Sequence, residues 1–177
     1  MRLGRFFPAP DQMLLVCGTV VAMIYTWTAL TVTLDVTLRW RFLLDLIGIA
    51  IAYAYSFVAA LVEAALVTGS IVLLSAILPR KVLREDFEVR GSLIAISLMG
   101  TLMALTLQPP AAGPTRKYLD WATWSLALGV VSVGVAAGVP AFRRFTLAVV
   151  ERVSILLYLY GPLTALSLAW VLARNVG

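Results

Sequence analysis

The stretch DLIGIAIAYAYSFVAALVE, residues 45–63, decides how this chain is built. Asp45 and Glu63 enclose seventeen residues without a charge, inside an apolar run that extends from 42 to 78. One membrane crossing takes about 20 apolar residues, so the run is too long for an ordinary span, and Glu63 lies well inside it. The sequence therefore raises two questions: how often this run crosses the membrane, and what surrounds Glu63.

The composition of the whole chain indicates an integral membrane protein. Hydrophobic residues make up 62% of its 177 residues and charged residues 13%, which is half the roughly 25% typical of soluble domains. A soluble domain of this length has too little interior to bury so much apolar surface. Because backbone groups in lipid must satisfy one another, spans that are apolar on every side are predicted to be helices rather than barrel strands.

The fold class predicted from these runs is all-α, a polytopic bundle of membrane helices that forms one domain over residues 1–177. The other predicted spans are 13–34, 92–107, 121–139 and 153–173. The run 42–78 is one long helix, or it is divided at Tyr53–Phe57. In the second case 56–78 spans the membrane, while 42–55 lies at the interface, re-enters the membrane or extends the helix beyond the core. No Gly, Pro, Asn or Asp near Ala59–Ala60 is present to reverse the chain, which favours five spans. Six spans are the alternative.

The basic residues lie in short clusters between the spans. Cytoplasmic loops are enriched in Lys and Arg, and this rule places 79–90 and 141–152 on the cytoplasmic side for either span count, while the side of the N-terminus stays open. The residues expected to make cytoplasmic or headgroup contacts are Arg80, Lys81, Arg84, Arg143 and Arg144. The chain has a net charge of +5. Because its basic residues lie between spans, the predicted partner of this charge is the lipid bilayer and not nucleic acid. The compact apolar chain favours a prokaryotic cytoplasmic membrane.

Asp45 and Glu63 share one side of the second predicted span if that span is an unbroken helix. Eighteen residues make five turns of about 3.6 residues, so the two acids would lie about 27 Å apart along one line. Ala52, Ser56 and Ala59 fall close to the same line. Small residues let helices approach closely in lipid. This side is therefore predicted to face the interior of the bundle, where neighbouring helices would shelter Glu63.

Two interpretations of Glu63 remain open. The first is a proton or cation site in a transport path, which Tyr158 and Tyr160 would help to line beside a kink at Gly161–Pro162. The second is a protonated carboxyl bonded to a neighbouring helix, or an ion pair with a partner protein. The candidate intramembrane polar site comprises Asp45, Ser56, Glu63, Tyr158 and Tyr160.

Small residues four apart mark further candidate packing faces. Gly100 and Ala104 form such a pair in the third predicted span, and Gly134 and Gly138 form a G-xxx-G pair in the fourth. These pairs predict close helix contacts within the chain, with dimerisation of two copies as the alternative.

No catalytic motif or cofactor site is predicted. Cys17 is the single cysteine and histidine is absent, so the usual ligands of zinc and haem are missing. Neither a nucleophile elbow nor a phosphate-binding glycine loop is present. The leading hypothesis is a non-enzymatic accessory, assembly or scaffold component that binds another membrane protein or itself. A small transporter or permease subunit that uses Glu63 is the second hypothesis, and a lipid-modifying enzyme the third.

Overall fold

The computed structural model describes residues 7–40, 45–107 and 114–176, without the side chains of residues 39, 40, 81, 114 and 115. Residues 42–44 of the predicted apolar run thus lie outside the description. Every regular element in the described ranges is helical. In chain order the helices are α1 (Pro10–Asp35), a π-helical turn (Val36–Trp40), α2 (Leu46–Ile77), α3 (Arg80–Leu83), α4 (Phe87–Thr106), α5 (Pro114–Gly138), α6 (Pro140–Ser154) and α7 (Leu156–Val176).

Five helical stretches are long and apolar enough to cross a membrane, which confirms the predicted all-helical class and the count of five such helices among the described residues. They are Pro10–Leu38, Leu46–Ile77, Phe87–Thr106, Arg116–Gly138 and Pro140–Val176. The second is α2, an unbroken helix of 32 residues. It corresponds to the long form of the predicted second span, and at about 1.5 Å per residue it measures about 48 Å.

Local signals in the sequence explain where the helices begin and end. The Asp45 carboxylate accepts a hydrogen bond from the Gly48 backbone N–H at 2.7 Å and caps α2. Pro79 follows the last residues of α2, where a proline cannot continue the hydrogen-bond pattern. Asp86, with φ 59° and ψ 44°, stands in the left-handed region immediately before α4, a conformation that Asp tolerates better than most residues. Pro140 occupies the first position of α6, where its missing N–H costs nothing.

Helix α1 lies at the centre of the bundle and packs against α2, α4, α6 and α7, while α5 packs mainly against α4. The largest core cluster joins residues of α1, α2, α3 and α4. Its most deeply buried members are Val16, Val20, Tyr25, Ala60, Ala64, Leu83, Phe87 and Ala95. The small residues Ala60 and Ala64 lie four apart on α2 and are 1% and 2% exposed, so they form the close-packing side of that helix.

Two glycines permit close contacts between helices of the bundle. A Cβ atom added at Gly18 of α1 would lie 2.8 Å from the Cβ and 3.0 Å from the Cα of Ser154 in α6. A Cβ atom at Gly91 of α4 would lie 3.0 Å from the Cγ2 of Val16. Real Cβ atoms do not occur at the first of these distances, so the crossing of α1 and α6 requires glycine at position 18.

The predicted small-residue pairs do not make such contacts. A Cβ atom at Gly100, Gly134 or Gly138 would meet no described atom within 4 Å, and the Ala104 side chain is exposed. The prediction of close packing within the chain at these pairs is therefore wrong. Spacing identifies residues that share one side of a helix, but it does not tell which side turns inward.

Candidate functional site

Glu63 lies on the outer surface of α2, so the prediction that it faces the interior of the bundle is wrong. Its side chain is exposed, as are those of Ala59, Leu66 and Ser70, which share its side of the helix. The neighbouring Ala64, which points about 100° away, belongs to the buried side. Both sides of α2 carry small residues. Ala60 and Ala64 pack into the core, whereas the small residues on the same side as Glu63 do not.

The position of Glu63 along α2 keeps it away from both ends of the helix. A crossing takes about 20 residues, and every window of about that length within Leu46–Ile77 contains residues 58–65. An upright α2 that spans a membrane therefore holds Glu63 in hydrocarbon in any vertical position. An acidic side chain at the centre of a membrane helix costs roughly 3 kcal/mol. In the described part of the chain, no hydrogen bond or ion pair to the Glu63 carboxyl offsets this cost.

The other acid predicted to lie on this side of α2 has a different role. Asp45 is exposed and caps the first turn of α2, and Ser56 is half-buried between the two acids. Because α2 is unbroken, Asp45 and Glu63 stay about 27 Å apart. They form no common site.

The structure does bring hydroxyl groups together where α1, α2 and α7 meet. Three hydroxyl pairs join these helices, Tyr25 with Thr164 at 2.7 Å, Thr26 with Tyr160 at 2.9 Å and Thr33 with Tyr53 at 2.6 Å. The Tyr25 ring, 1% exposed, stacks on Phe57 with ring centroids 5.5 Å apart and lies 5.1 Å from the Tyr160 ring. We call the six hydroxyl-bearing residues the hydroxyl cluster.

The hydroxyl cluster contains one of the predicted site residues and excludes its neighbour. Tyr160 belongs to the cluster, whereas the Tyr158 side chain is 78% exposed. Helix α7 continues through Pro162. The threonines Thr26 and Thr33 lie seven residues apart, a spacing that places them on one side of α1 and could have pointed to this cluster. Nothing in the local sequence singles out Tyr25.

The chemistry of the hydroxyl cluster is that of hydrogen bonding between helices. It holds tyrosine and threonine hydroxyls without a carboxylate, an amine or an imidazole among its members, so it offers no general base for neutral pH. Across residues 7–40, 45–107 and 114–176, no three His, Cys, Asp or Glu side chains come close enough to hold a metal ion. The cluster therefore stabilises the junction of three helices.

The basic residues predicted for cytoplasmic contact divide into two kinds. Arg143 of α6 forms an ion pair with Asp86, and the Arg84 Nη2 donates a hydrogen bond to the Ser75 carbonyl at 3.3 Å, where the last turn of α2 leaves carbonyls without helical partners. Arg80 and Arg144 are exposed. The side chain of Lys81 lies outside the description.

A cavity of about 520 Å³ opens between the end of α2, α3, α4 and α5. Its walls are apolar except for Trp121, whose Nε1 donates a hydrogen bond to the Leu98 carbonyl at 3.3 Å, and Ser125. The Ser125 Oγ is buried and has no hydrogen-bond partner among the described residues. We call this cavity the α5 crevice.

Replacing Ser125 with alanine is expected to raise the free energy of unfolding by about 1 kcal/mol, because a buried hydroxyl without a partner carries a desolvation penalty of roughly that size or more. Unfolding of the purified protein in mixed detergent micelles measures the change. Ser167→Ala is the matched control, since the buried Ser167 Oγ donates to the Leu163 carbonyl at 2.8 Å, and this change should leave stability unchanged or lower it. Equal losses for both variants would contradict the prediction.

The candidate site thus has three parts: the exposed Glu63 carboxyl on α2, the hydroxyl cluster and the α5 crevice. The first lies on the outer surface. The second joins α1, α2 and α7, with Tyr25 and Thr164 buried and Thr26 and Thr33 exposed. The third opens beside α4. Comparison of the chain with protein-family models, with curated proteins and with solved structures finds no match.

Proposed function

We propose that this chain is an integral membrane protein that acts as an accessory, assembly or scaffold component bound to another membrane protein. The observation that carries the proposal is the exposed Glu63 carboxyl on the outer side of α2. An acid in hydrocarbon is costly and is normally covered by a protein group. Because the bundle itself does not cover Glu63, a helix of another chain that supplies a hydrogen bond or an opposite charge would offset the cost.

The surface around Glu63 suits contact with a transmembrane helix. Ala59 and Ser70 flank the acid on the exposed side of α2, and Leu66 lies between Glu63 and Ser70. The Ser70 Oγ donates to the Leu66 carbonyl at 2.8 Å, so it adds little polarity to the surface. The small Ala59 one turn before Glu63 allows a second helix to approach closely enough to hydrogen-bond with the acid.

The distribution of charge supports an orientation for the proposed membrane protein. The ion pair between Arg143 and Asp86 brings the α3–α4 connection and α6 together on one side of the bundle. These two segments hold the basic clusters at 79–90 and 141–152. By the positive-inside rule this side is cytoplasmic, and five crossings put the N-terminus on the same side. A prokaryotic cytoplasmic membrane is the location we propose.

A small transporter or permease subunit is the second candidate function. The observation in its favour is again the intramembrane acid, since carboxyls in spans bind protons and cations in many transporters. However, Glu63 lines neither the α5 crevice nor a second apolar cavity of about 330 Å³ beside α1. A transport role predicts that Glu63→Gln abolishes flux in vesicles without affecting association with a partner.

Purification in mild detergent tests the proposed function. After extraction of the membranes with alkaline carbonate has established that the chain stays in the bilayer, we expect a tagged chain to co-purify with a stoichiometric partner. Glu63→Gln should lower partner recovery at least about tenfold, equivalent to roughly 1.4 kcal/mol of binding free energy. Glu151→Gln is the matched control, because Glu151 is exposed on α6 and lies outside the proposed contact.

The outcomes of this experiment separate the candidate functions. A chain that remains monomeric in several mild detergents would argue against an accessory or scaffold role. Equal partner recovery with Glu63→Gln and Glu151→Gln would show that the chain has a partner but that Glu63 does not contribute to binding it.

A further inference from the structure

The α5 crevice has the size of a small-molecule site. Its volume of about 520 Å³ falls within the range of roughly 300–1,000 Å³ found for small-molecule sites. With its size and its almost entirely apolar walls, the crevice suits a flexible apolar chain.

The crevice extends along α5 from Trp121 to Gly134. Thirteen residues of helix correspond to about 20 Å, somewhat more than the ~15 Å that one leaflet contributes to a hydrocarbon layer of about 30 Å. At one end its walls are Val82 and Leu83 of α3, and at the other they are residues nearer the middle of α4 and α5. A hydrocarbon chain that enters at α3 would run from the membrane surface toward the centre.

The end of the crevice at α3 is the basic side of the bundle. Arg80 is exposed and lies on the same four-residue helix as Val82 and Leu83. The ion pair of Arg143 with Asp86 holds α6, with its exposed Arg144, on the same side. The segments 79–90 and 141–152 together carry seven basic and four acidic residues, an excess of positive charge that attracts anionic headgroups.

We propose that the α5 crevice binds an anionic phospholipid, with one acyl chain along α5 and the phosphate beside Arg80. The inference rests on the membrane location put forward above but not on the partner protein. Apolar walls select the acyl chain. The exposed Arg80, two residues before the lining Val82 on α3, selects a negatively charged headgroup over a zwitterionic one.

Two glycine variants on α5 test the site. Gly134 lines the crevice and Gly138 does not, and a Cβ atom at either position would meet no described atom within 4 Å. Gly134→Leu should place a side chain in the crevice, whereas Gly138→Leu adds the same side chain outside it. The purified chain is stripped of lipid, supplied with phosphatidylglycerol or with phosphatidylcholine of the same acyl chains, and analysed by native mass spectrometry.

We expect phosphatidylglycerol to be retained at least tenfold more strongly than phosphatidylcholine. Gly134→Leu should lower phosphatidylglycerol retention at least tenfold and Gly138→Leu by less than twofold. Arg80→Gln, an exposed change that leaves the core intact, should lower the preference for phosphatidylglycerol about fivefold, as expected for one basic residue near an anionic lipid. Because the assay uses the chain alone, it is independent of whether a partner protein exists.

Equal retention of the two lipids would overturn the proposal, as would retention that Gly134→Leu and Gly138→Leu change to the same extent. If Gly134→Leu does not fold, the Arg80→Gln result decides, and an unchanged lipid preference in that variant overturns the assignment of the headgroup. If the unchanged chain shows no preference between the two lipids but still co-purifies with a partner protein, the lipid site is wrong and the proposed function stands.

Discussion

Replacing Gly18 with alanine is expected to lower the free energy of unfolding by about 3 kcal/mol, in the upper part of the usual range for overpacking. The added Cβ atom would lie 2.8 Å from the Cβ and 3.0 Å from the Cα of Ser154. The second atom belongs to the backbone, so a change of rotamer cannot relieve the contact. Helix α6 would have to move away from α1, which it contacts directly. Unfolding in mixed micelles, followed by circular dichroism, measures the loss.

Gly100→Ala is the matched control for this prediction. Gly100 lies within α4, and a Cβ atom there would meet no described atom within 4 Å. Alanine stabilises a helix interior relative to glycine by about 0.5–1 kcal/mol, so the control should be neutral or stabilising, with the opposite sign to Gly18→Ala. Ser154→Gly removes the nearest atom and should make Gly18→Ala less costly in the double variant than the two single changes add up to. Strictly additive losses would contradict the proposed clash.

The class of fold could be predicted from composition and the lengths of the apolar runs because these properties follow from the thickness of the bilayer. For the run 42–78 the same reasoning predicts one long helix or a helix broken at Tyr53–Phe57, and α2 has the long form. No turn residue interrupts the run near Ala59–Ala60, and the helix is continuous over 32 residues. Asp45, which lies at the start of the run, caps it as its residue type favours. These features depend on local sequence and on length alone.

The orientation of each helix about its own axis could not be predicted in the same way. In a soluble protein the apolar side of a helix faces inward, but in α2 every side is largely apolar and this signal is missing. The acid at Glu63 predicts that its side of α2 faces inward, whereas Ala60 and Ala64 form the inner side. In lipid, packing of small residues outweighs polarity as the driving force between helices. Two stripes of small residues on one helix therefore leave its rotation undetermined.

The site depends on contacts between helices that are distant in the sequence. Tyr25 and Thr164 belong to helices separated by most of the chain, and their hydrogen bond joins α1 directly to α7. A sequence taken alone does not show which helices are neighbours. The spacing of Thr26 and Thr33 shows that they share one side of α1. Nothing in the sequence around their hydrogen-bond partners, Tyr160 and Tyr53, indicates a contact with α1.

Tyr25→Ala is expected to cost about 3–5 kcal/mol of the free energy of unfolding, the range found for truncation of a buried aromatic side chain. The Tyr25 ring is 1% exposed and packs between Phe57 of α2 and Tyr160 of α7. Its removal leaves a cavity where three helices meet and deprives the Thr164 hydroxyl of a partner at 2.7 Å. Tyr158→Ala is the matched control, because Tyr158 is 78% exposed on α7 and its truncation should change stability by less than about 0.5 kcal/mol.

Tyr25→Phe separates the two contributions of this residue. It keeps the ring contacts with Phe57 and Tyr160 and removes only the hydroxyl. Hydrogen bonds between membrane helices contribute about 0.6 kcal/mol on average and up to roughly 1.7 kcal/mol. The Thr164 Oγ1 also lies 2.7 Å from the Tyr160 carbonyl, which gives it a second partner and keeps the expected loss near the average. A loss for Tyr25→Phe as large as that for Tyr25→Ala would mean that the hydroxyl, and not ring packing, holds α1, α2 and α7 together.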